Sequence, residues 1–245
     1  MEELIKYDEC LDDLQNGYML IQKSNTFKFG VDAVLLADFA DVKKTEHVLE
    51  MGTGTGIIPI LLYAKKQPAS ITALEIQTDM ADMARRSIQY NKLEDKISIL
   101  NIDLKNAPEK FGKASFDAIV TNPPYVKKEA GINNPVESKA LARFEIACTL
   151  QDVISCSKEL LKSGGKLFMV HRADRLVDII YEMRKQSIEP KRIRFVHSNF
   201  GKRPHLILIE GTRGGRPELK FMDPLYIYKD NEEYTEEIHR IYGRI

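Results

Sequence analysis

A chain of 245 residues with 43% apolar content is long enough to bury one sizeable core, and 29% charged residues balanced to a formal net charge of zero exclude whole-chain disorder. No apolar run approaches the roughly 20 residues a membrane helix requires, and the acidic start MEELIKYDEC has no apolar signal segment, so the expected home is the cytoplasm, without membrane attachment. Cys10, Cys148 and Cys156 are odd in number and scattered, which predicts neither a disulfide framework nor a structural metal site.

In chain order, residues 18–29 read as a strand or hairpin, followed by a helix capped by Asp32 and carrying Val34, Leu35, Leu36 and Phe39. Residues 1–40 are thus expected to form an N-terminal extension. Residues 48–50 are a short strand ending at Gly52-Thr53-Gly54-Thr55-Gly56. Residues 55–66 are a helix with Ile57, Ile58, Leu61 and Leu62 as its apolar face and Pro59 in its first turn. A strand at 71–74, a helix at 77–90 and strands at 97–100 and 116–121 follow, the last stopped by two prolines. Residues 141–161 read as a long helix closed by Ser163-Gly164-Gly165, then come a strand at 166–170 and a helix at 175–185. Strands at 193–197 and 206–210 have only a loop between them, which predicts an antiparallel hairpin. Strands alternating with helices predict a single α/β domain with a mostly parallel sheet and a core spanning 41–218. Residues 219–245 are expected to be a tail of that domain, as a packed helix or a frayed end.

The neutral total hides an asymmetry. Residues 158–220 carry fifteen Lys or Arg against seven Asp or Glu, and Lys191, Arg192, Arg194, Lys202 and Arg203 fall in a stretch without acids. A basic zone on a neutral chain fits a polyanion on one face, or an ordinary solvated surface.

Three glycines alternating with threonines after Glu50 let the backbone turn sharply and approach a ligand closely. The spacing is G-x-G-x-G, which differs from the dinucleotide fingerprint. The next strand ends at Glu75, a carboxylate able to accept both hydroxyls of a ribose, and Asp103 follows the third strand, where it can meet an adenine edge. All three features fall at carboxyl ends of strands, where open α/β sheets bind ligands.

The fourth strand runs into Asn122-Pro123-Pro124-Tyr125. The asparagine side-chain oxygen accepts a hydrogen bond from a planar amino group, a proline carbonyl accepts the second, and the prolines add rigidity without donors. Tyr125 can stack on a flipped base or pack on a peptide amide. Two acceptors hold a flat nitrogen ready to attack a methyl carbon, so no histidine base is required, and His171 and His197 read as structural.

Residues 48–56 with Glu75, Asp103 and Asn122-Pro123-Pro124-Tyr125 resemble class I S-adenosylmethionine-dependent amino-methyltransferases. The resemblance implies a Rossmann-like fold, with a seven-stranded mostly parallel sheet ending in a C-terminal antiparallel hairpin. It implies a cofactor site of Glu50, Gly52, Thr53, Gly54, Gly56, Glu75, Ile76, Asp103, Leu104 and Asn122, and a catalytic tetrapeptide holding the target nitrogen. Phe29-Gly30-Val31-Asp32-Ala33-Val34-Leu35-Leu36-Ala37, His171-Arg172, the run from Lys191 to His197 and Gly214-Gly215 are similar to bacterial valine-tRNA adenine-37 N6-methyltransferases. That likeness implies methyl transfer to adenine N6 in a tRNA anticodon loop, adenine 37 of valine tRNA; a monomer or weak homodimer is expected. It also implies that Gly30 and Asp32 close over the cofactor and that Lys127, Lys128, Arg172, Lys191, Arg192, Arg194, Lys202 and Arg203 meet RNA phosphates. Glutamine N5 methylation of a protein uses the same four residues and is the rival enzyme reading, although its architecture places a longer helical domain before the glycine loop. A noncatalytic RNA-binding factor of the same fold is the rival outside enzymes.

Overall fold

The computed structural model describes residues 4–14, 17–24, 30–123 and 148–244. Pro124, Tyr125, Lys127, Lys128 and Phe29 fall outside them. The elements run β1 (Glu9–Asp13), β2 (Met19–Lys23), α1 (Val31–Phe39), β3 (His47–Met51), α2 (Ile57–Lys66), β4 (Ser70–Leu74), α3 (Thr78–Tyr90) and β5 (Ile97–Leu100). They continue with α4 (Ala107–Phe111), β6 (Phe116–Thr121), α5 (Leu150–Leu160), β7 (Leu161–Arg172), α6 (Leu176–Lys185), β8 (Ile188–His197), β9 (Pro204–Arg213), β10 (Lys220–Phe221), β11 (Leu225–Tyr226) and α7 (Glu236–Ile241).

The main sheet has the order β5-β4-β3-β6-β7-β9-β8. Pairing is parallel from β5 to β7, while β9 is antiparallel to both β7 and β8. The expected terminal hairpin is therefore β8–β9. The expected seven strands are joined by two more of two residues each, because β10 and β11 both pair parallel with the outer strand β8. They cover the edge that β8 otherwise leaves unpaired.

Alternation along each strand gives the sheet two apolar faces. Val48, Ala118, Val120 and Phe168 pack with α1, α2 and α3, whereas Leu49, Met51, Ile119, Leu167 and Met169 pack with α5 and α6. A sheet buried on both sides keeps only its ends open, and the ligand-binding end is the one at which β3 to β6 finish.

Several elements differ from the sequence expectations. The strand or hairpin expected at 18–29 supplies the strand β2, which pairs with β1, unforeseen in the sequence, with Glu9 opposite Lys23. The pair docks on α3 through Arg86, whose guanidinium reaches Glu9 at 2.6 and 2.7 Å, and through Asn91, which bonds Met19 N and O at 2.9 and 2.6 Å. The N-cap of α1 is Gly30, and Asp32 lies inside the first turn.

Of the helix expected over 141–161, residues 141–147 lie outside the described residues, and the described helix runs from Leu150. Thr149, at ψ 162°, makes a capping box with Asp152, which starts a helix there and prevents one from passing through. Its C-cap is Leu161, so Ser163-Gly164-Gly165 does not close it but lies in β7, beside a register shift between Phe116 and Ala118. Gly165 is required there, since a Cβ would stand 3.0 Å from Asp117 O on the adjacent strand.

The tail packs. Ile238 and Ile241 of α7 are buried in the cluster that contains α1, and Tyr234 stacks between Tyr228 and Tyr242 with centroids 5.3 and 5.8 Å away.

Candidate functional site

The glycine loop joins β3 to α2. Gly52, Gly54 and Gly56 have φ of 80°, 57° and 91°, in the left-handed region that other residues enter at a cost. Gly52 N and Thr53 N both donate to Leu74 O at 2.9 Å, which pins the loop to the end of β4. Gly56 has a second role, because a Cβ there would lie 3.3 Å from Ala84 Cβ, so the bare glycine lets α3 approach the loop.

Beside the loop lies a cavity of about 240 Å³, lined by Met51, Gly52, Gly54, Leu74, Glu75, Ile76, Ile102, Asp103, Leu104, Thr121, Asn122, Pro123, Cys148 and Val153. Glu75 Oε2 accepts from Gly54 N and Oε1 from Gln77 N, each at 2.8 Å. A carboxylate offers about four lone-pair sites, so two bonds leave capacity for a diol. Asp103 Oδ1 accepts from Lys105 N at 2.9 Å, which fixes its carboxylate at the cavity wall. Ile76, Ile102, Leu104 and Val153 provide apolar surface on which a purine can lie. The residues thus fit a nucleoside: an acceptor pair for ribose, an acid for a base edge and apolar walls between them.

Sequence reasoning missed Met51, Leu74, Ile102, Thr121, Cys148 and Val153 as lining residues. It also missed Asn101, whose Nδ2 donates to Glu75 O at 2.8 Å and Ile76 O at 3.0 Å and so holds the turn that carries both. An asparagine directly after a strand, two residues before Asp103, is the signal that could have found it.

Glu50 does not line the cavity. It is fully buried at the foot of the loop, and neither its carboxyl oxygens nor the hydroxyl of the neighbouring Thr53 has a hydrogen-bond partner among the described residues. Burial pushes its pKa up to about 8, reinforced by the charge of Glu75. Between the usual glutamate range near pH 4.5 and about pH 8, the folded chain keeps a proton that the unfolded chain releases. Stability from this group therefore falls as pH rises through that window and levels off above it. Glu50→Gln, which keeps the shape without the ionisation, is expected to raise the melting temperature of the ligand-free protein at pH 8, by up to a few kcal/mol in stability, and to make little difference at pH 5. Thermal melts of both proteins across that range test this, and parallel curves would refute it.

Asn122 follows β6 at the cavity mouth, where Thr121 Oγ1 donates to Met51 O at 3.0 Å and ties the strand end to β3. Asn122 Nδ2 donates to Asp32 Oδ2 at 3.2 Å. That bond turns the amide nitrogen toward α1. Gly30 permits the arrangement through proximity, since φ is an ordinary −79° but a Cβ would collide with Asp32 Oδ1. Gly30 and Asp32, expected to close over the cofactor, are not among the residues lining the cavity; Asp32 bonds Asn122, and Gly30 lies against Asp32.

Other titratable groups nearby are quiet. His171 is buried, accepts from Arg172 N at Nδ1, and burial pushes its pKa down to about 4. Burial pushes the Cys148 and Cys156 thiols up to about 12 and 11, so neither is a thiolate nucleophile.

The basic residues divide. Thr121 is level with Met169 and Ile209, and Arg172 with Leu206, so Arg172, Lys202 and Arg203 lie at or beyond the cavity end of the sheet. Arg172 also pairs with Asp174 at 2.7 Å. Lys191, far down β8, donates to Arg216 O at 3.1 Å. The guanidinium of Arg192 binds Phe39 O at 2.9 Å and Glu210 at 2.8 Å, and that of Arg194, 13% exposed, binds Asp223 O at 2.9 Å and Glu237 at 2.7 Å. These two arginines were expected at RNA phosphates, but the structure uses them to fasten α1 and the tail to the sheet.

Comparison with known proteins gives the same picture. The model of the methyltransferase small domain matches residues 29–185. A tRNA1(Val) (adenine(37)-N6)-methyltransferase of Porphyromonas gingivalis is 28% identical over 228 residues, 90% of this chain and 89% of the relative. One from Haemophilus influenzae is 28% identical over 221 residues, 88% of this chain and 89% of that one. Among solved structures, an Agrobacterium tumefaciens protein described as a predicted O-methyltransferase superposes with a TM-score of 0.69 at 21% identity, over 86% of this chain and 95% of that one. The TYW2 protein of M. jannaschii in complex with AdoMet gives 0.60 at 14%, over 84% and 86%. With an α/β sheet of this order, a glycine loop and an acid-lined cavity at its carboxyl end, the chain belongs to the methyltransferase small domain family.

Proposed function

We propose that this protein transfers the methyl group of S-adenosylmethionine to the N6 amino group of an adenine in a tRNA anticodon loop, adenine 37 of a valine tRNA, as a cytoplasmic monomer or weak homodimer. The observation that carries the reading is the Asp32–Asn122 hydrogen bond at the mouth of a nucleoside-sized cavity. The names of the relatives support the substrate.

Glu75 holds the ribose hydroxyls, Asp103 meets the adenine edge, Ile76 and Leu104 flank the ring, and Gly52 and Gly54 allow close backbone approach. When bound, the cofactor supplies a methyl group on a positively charged sulfur. Asn122 Oδ1 accepts one N6 hydrogen of the target, and the Pro123 carbonyl accepts the other. Asp32 prevents the amide from presenting its nitrogen instead. Drawing both hydrogens toward oxygen makes the nitrogen lone pair available; the new C–N bond would replace the methyl's bond to sulfur, which leaves as a neutral thioether, and the surplus N6 proton would pass to water, so neutral His171 and the thiols take no part. Arg172, Lys202 and Arg203 grip phosphates, which positions the RNA and reads little sequence.

The test is methyl incorporation into unmodified tRNA followed by nucleoside mass spectrometry and site mapping, beside a parallel assay on glutamine-bearing protein substrates. N6-methyladenosine at position 37 of valine tRNA is expected. Methylated glutamine, or another nucleoside, would overturn the assignment.

A further inference from the structure

We propose that the β8–β9 turn is a stacking platform for an unpaired nucleotide of the substrate RNA a few positions from the target, with Phe200 as its face and Lys202 and Arg203 as its phosphate grip. The inference rests on the RNA reading above and adds a base-binding site outside the methyl-transfer cavity.

Phe200 is 79% exposed, so its ring is open to solvent at the tip of the turn. It is also built in place. Its centroid is 5.7 Å from that of Tyr226, and Tyr226 is 5.2 Å from His197. His197 Nδ1 lies 2.6 Å from Lys202 O, which closes the turn. From below, β11 fixes Tyr226 opposite His197, Tyr228 N donates to Ser198 O at 2.8 Å, and Thr235 Oγ1 donates to Tyr226 O at 2.8 Å. The tail therefore backs the turn, and the aromatic row does not depend on loop packing.

Lys202 and Arg203 are exposed beside the ring, and among the described residues neither has a carboxylate partner. This contrasts with Arg192 and Arg194, which have acids at close range. An exposed aromatic face flanked by unneutralised cations is the pattern that holds single-stranded nucleic acid: the ring stacks a base and the cations follow the backbone.

The position fits the same substrate. Pro204 pairs with His197, five residues beyond Ile209, which is level with Thr121 across β7. Three strand spacings across the sheet and five residues along β9 put the platform roughly 20 Å from Asn122, at the same end.

The experiment compares wild type with Phe200→Ala, Phe200→Leu, Phe200→Trp and Lys202→Ala/Arg203→Ala, using an unmodified anticodon stem-loop and a single-stranded oligonucleotide, with methylation and direct binding measured separately. Phe200→Ala is expected to raise the RNA KM and the Kd for both probes by about 5- to 100-fold, the loss appearing in KM rather than kcat, with melting temperature and S-adenosylmethionine affinity unchanged. Trp should restore binding and Leu should not. The double lysine–arginine variant should flatten the salt dependence of binding by about 1.4 in log–log slope, which Phe200→Ala leaves alone. Equal binding by Phe200→Ala and wild type, or by Leu and Trp, overturns the platform. If wild type methylates no RNA yet Phe200→Ala still weakens binding of the probes, the platform stands and the proposed reaction falls.

Discussion

Asn122→Ala is expected to lower kcat by at least ten-fold, on the order of a hundred-fold, while the dissociation constant for S-adenosylmethionine stays within about two-fold. Its nitrogen donates to Asp32 at 3.2 Å, and in the proposed reaction its oxygen accepts from the target amine. An acceptor whose bond strengthens as the amine rehybridises acts on the transition state more than on the ground state, and such an effect appears in kcat. Loss of one preorganised polar contact to developing charge costs about 3 kcal/mol, or roughly two orders of magnitude. Asp32→Ala keeps the acceptor but releases the amide to rotate, so a smaller fall of the same kind, on the order of ten-fold, is expected. Single-turnover kinetics with calorimetric cofactor titration separates the two effects. Weakened cofactor binding with unchanged turnover would move Asn122 from the substrate to the cofactor.

Glu75→Ala is expected to raise the cofactor dissociation constant by about a hundred-fold or more. Its two oxygens hold Gly54 N and Gln77 N, so the substitution removes the acceptors for a ribose and also unties the glycine loop from the β4–α3 turn. Each hydrogen bond to a charged group contributes roughly 1.5–3 kcal/mol, and two such bonds exceed the 2.8 kcal/mol that a hundred-fold change represents. Glu75→Gln should lose less, because the amide keeps one acceptor oxygen, although its NH2 then faces a main-chain donor. Calorimetry measures the affinities, and loss of the cofactor-induced rise in melting temperature provides a second readout. An unchanged affinity in Glu75→Ala would place the ribose elsewhere.

The parts of the site that sequence reading captured are those in which chemistry sits at the end of a locally determined element. The apolar runs of β3, β4, β5 and β6 each finish at a named group, and a parallel sheet brings such endings together without further information. Gly52, Gly54, Glu75, Ile76, Asp103, Leu104, Asn122 and Pro123 all meet at one cavity for that reason. Reading failed where a residue's partner is distant in the chain. The 191–203 region looked like one basic stretch, but strand alternation directs Arg192 and Arg194 to one face, where Glu210 and Glu237 wait. The helix expected from 141 likewise overlooked Thr149, because periodicity reveals apolar faces better than starting points.

The sequence by itself determined the α/β alternation, the terminal hairpin and the cavity group at each strand end, since period, glycine placement and proline stops act over a few neighbouring residues. Only the tertiary structure decided that Asp32, ninety positions away, bonds Asn122, that the tail adds two edge strands to β8, and that a turn with an exposed ring and, among the described residues, no carboxylate partner for its cations is left at the open end. Hydrogen bonds and ion pairs depend on distance in space, and only packing of the whole chain sets that distance.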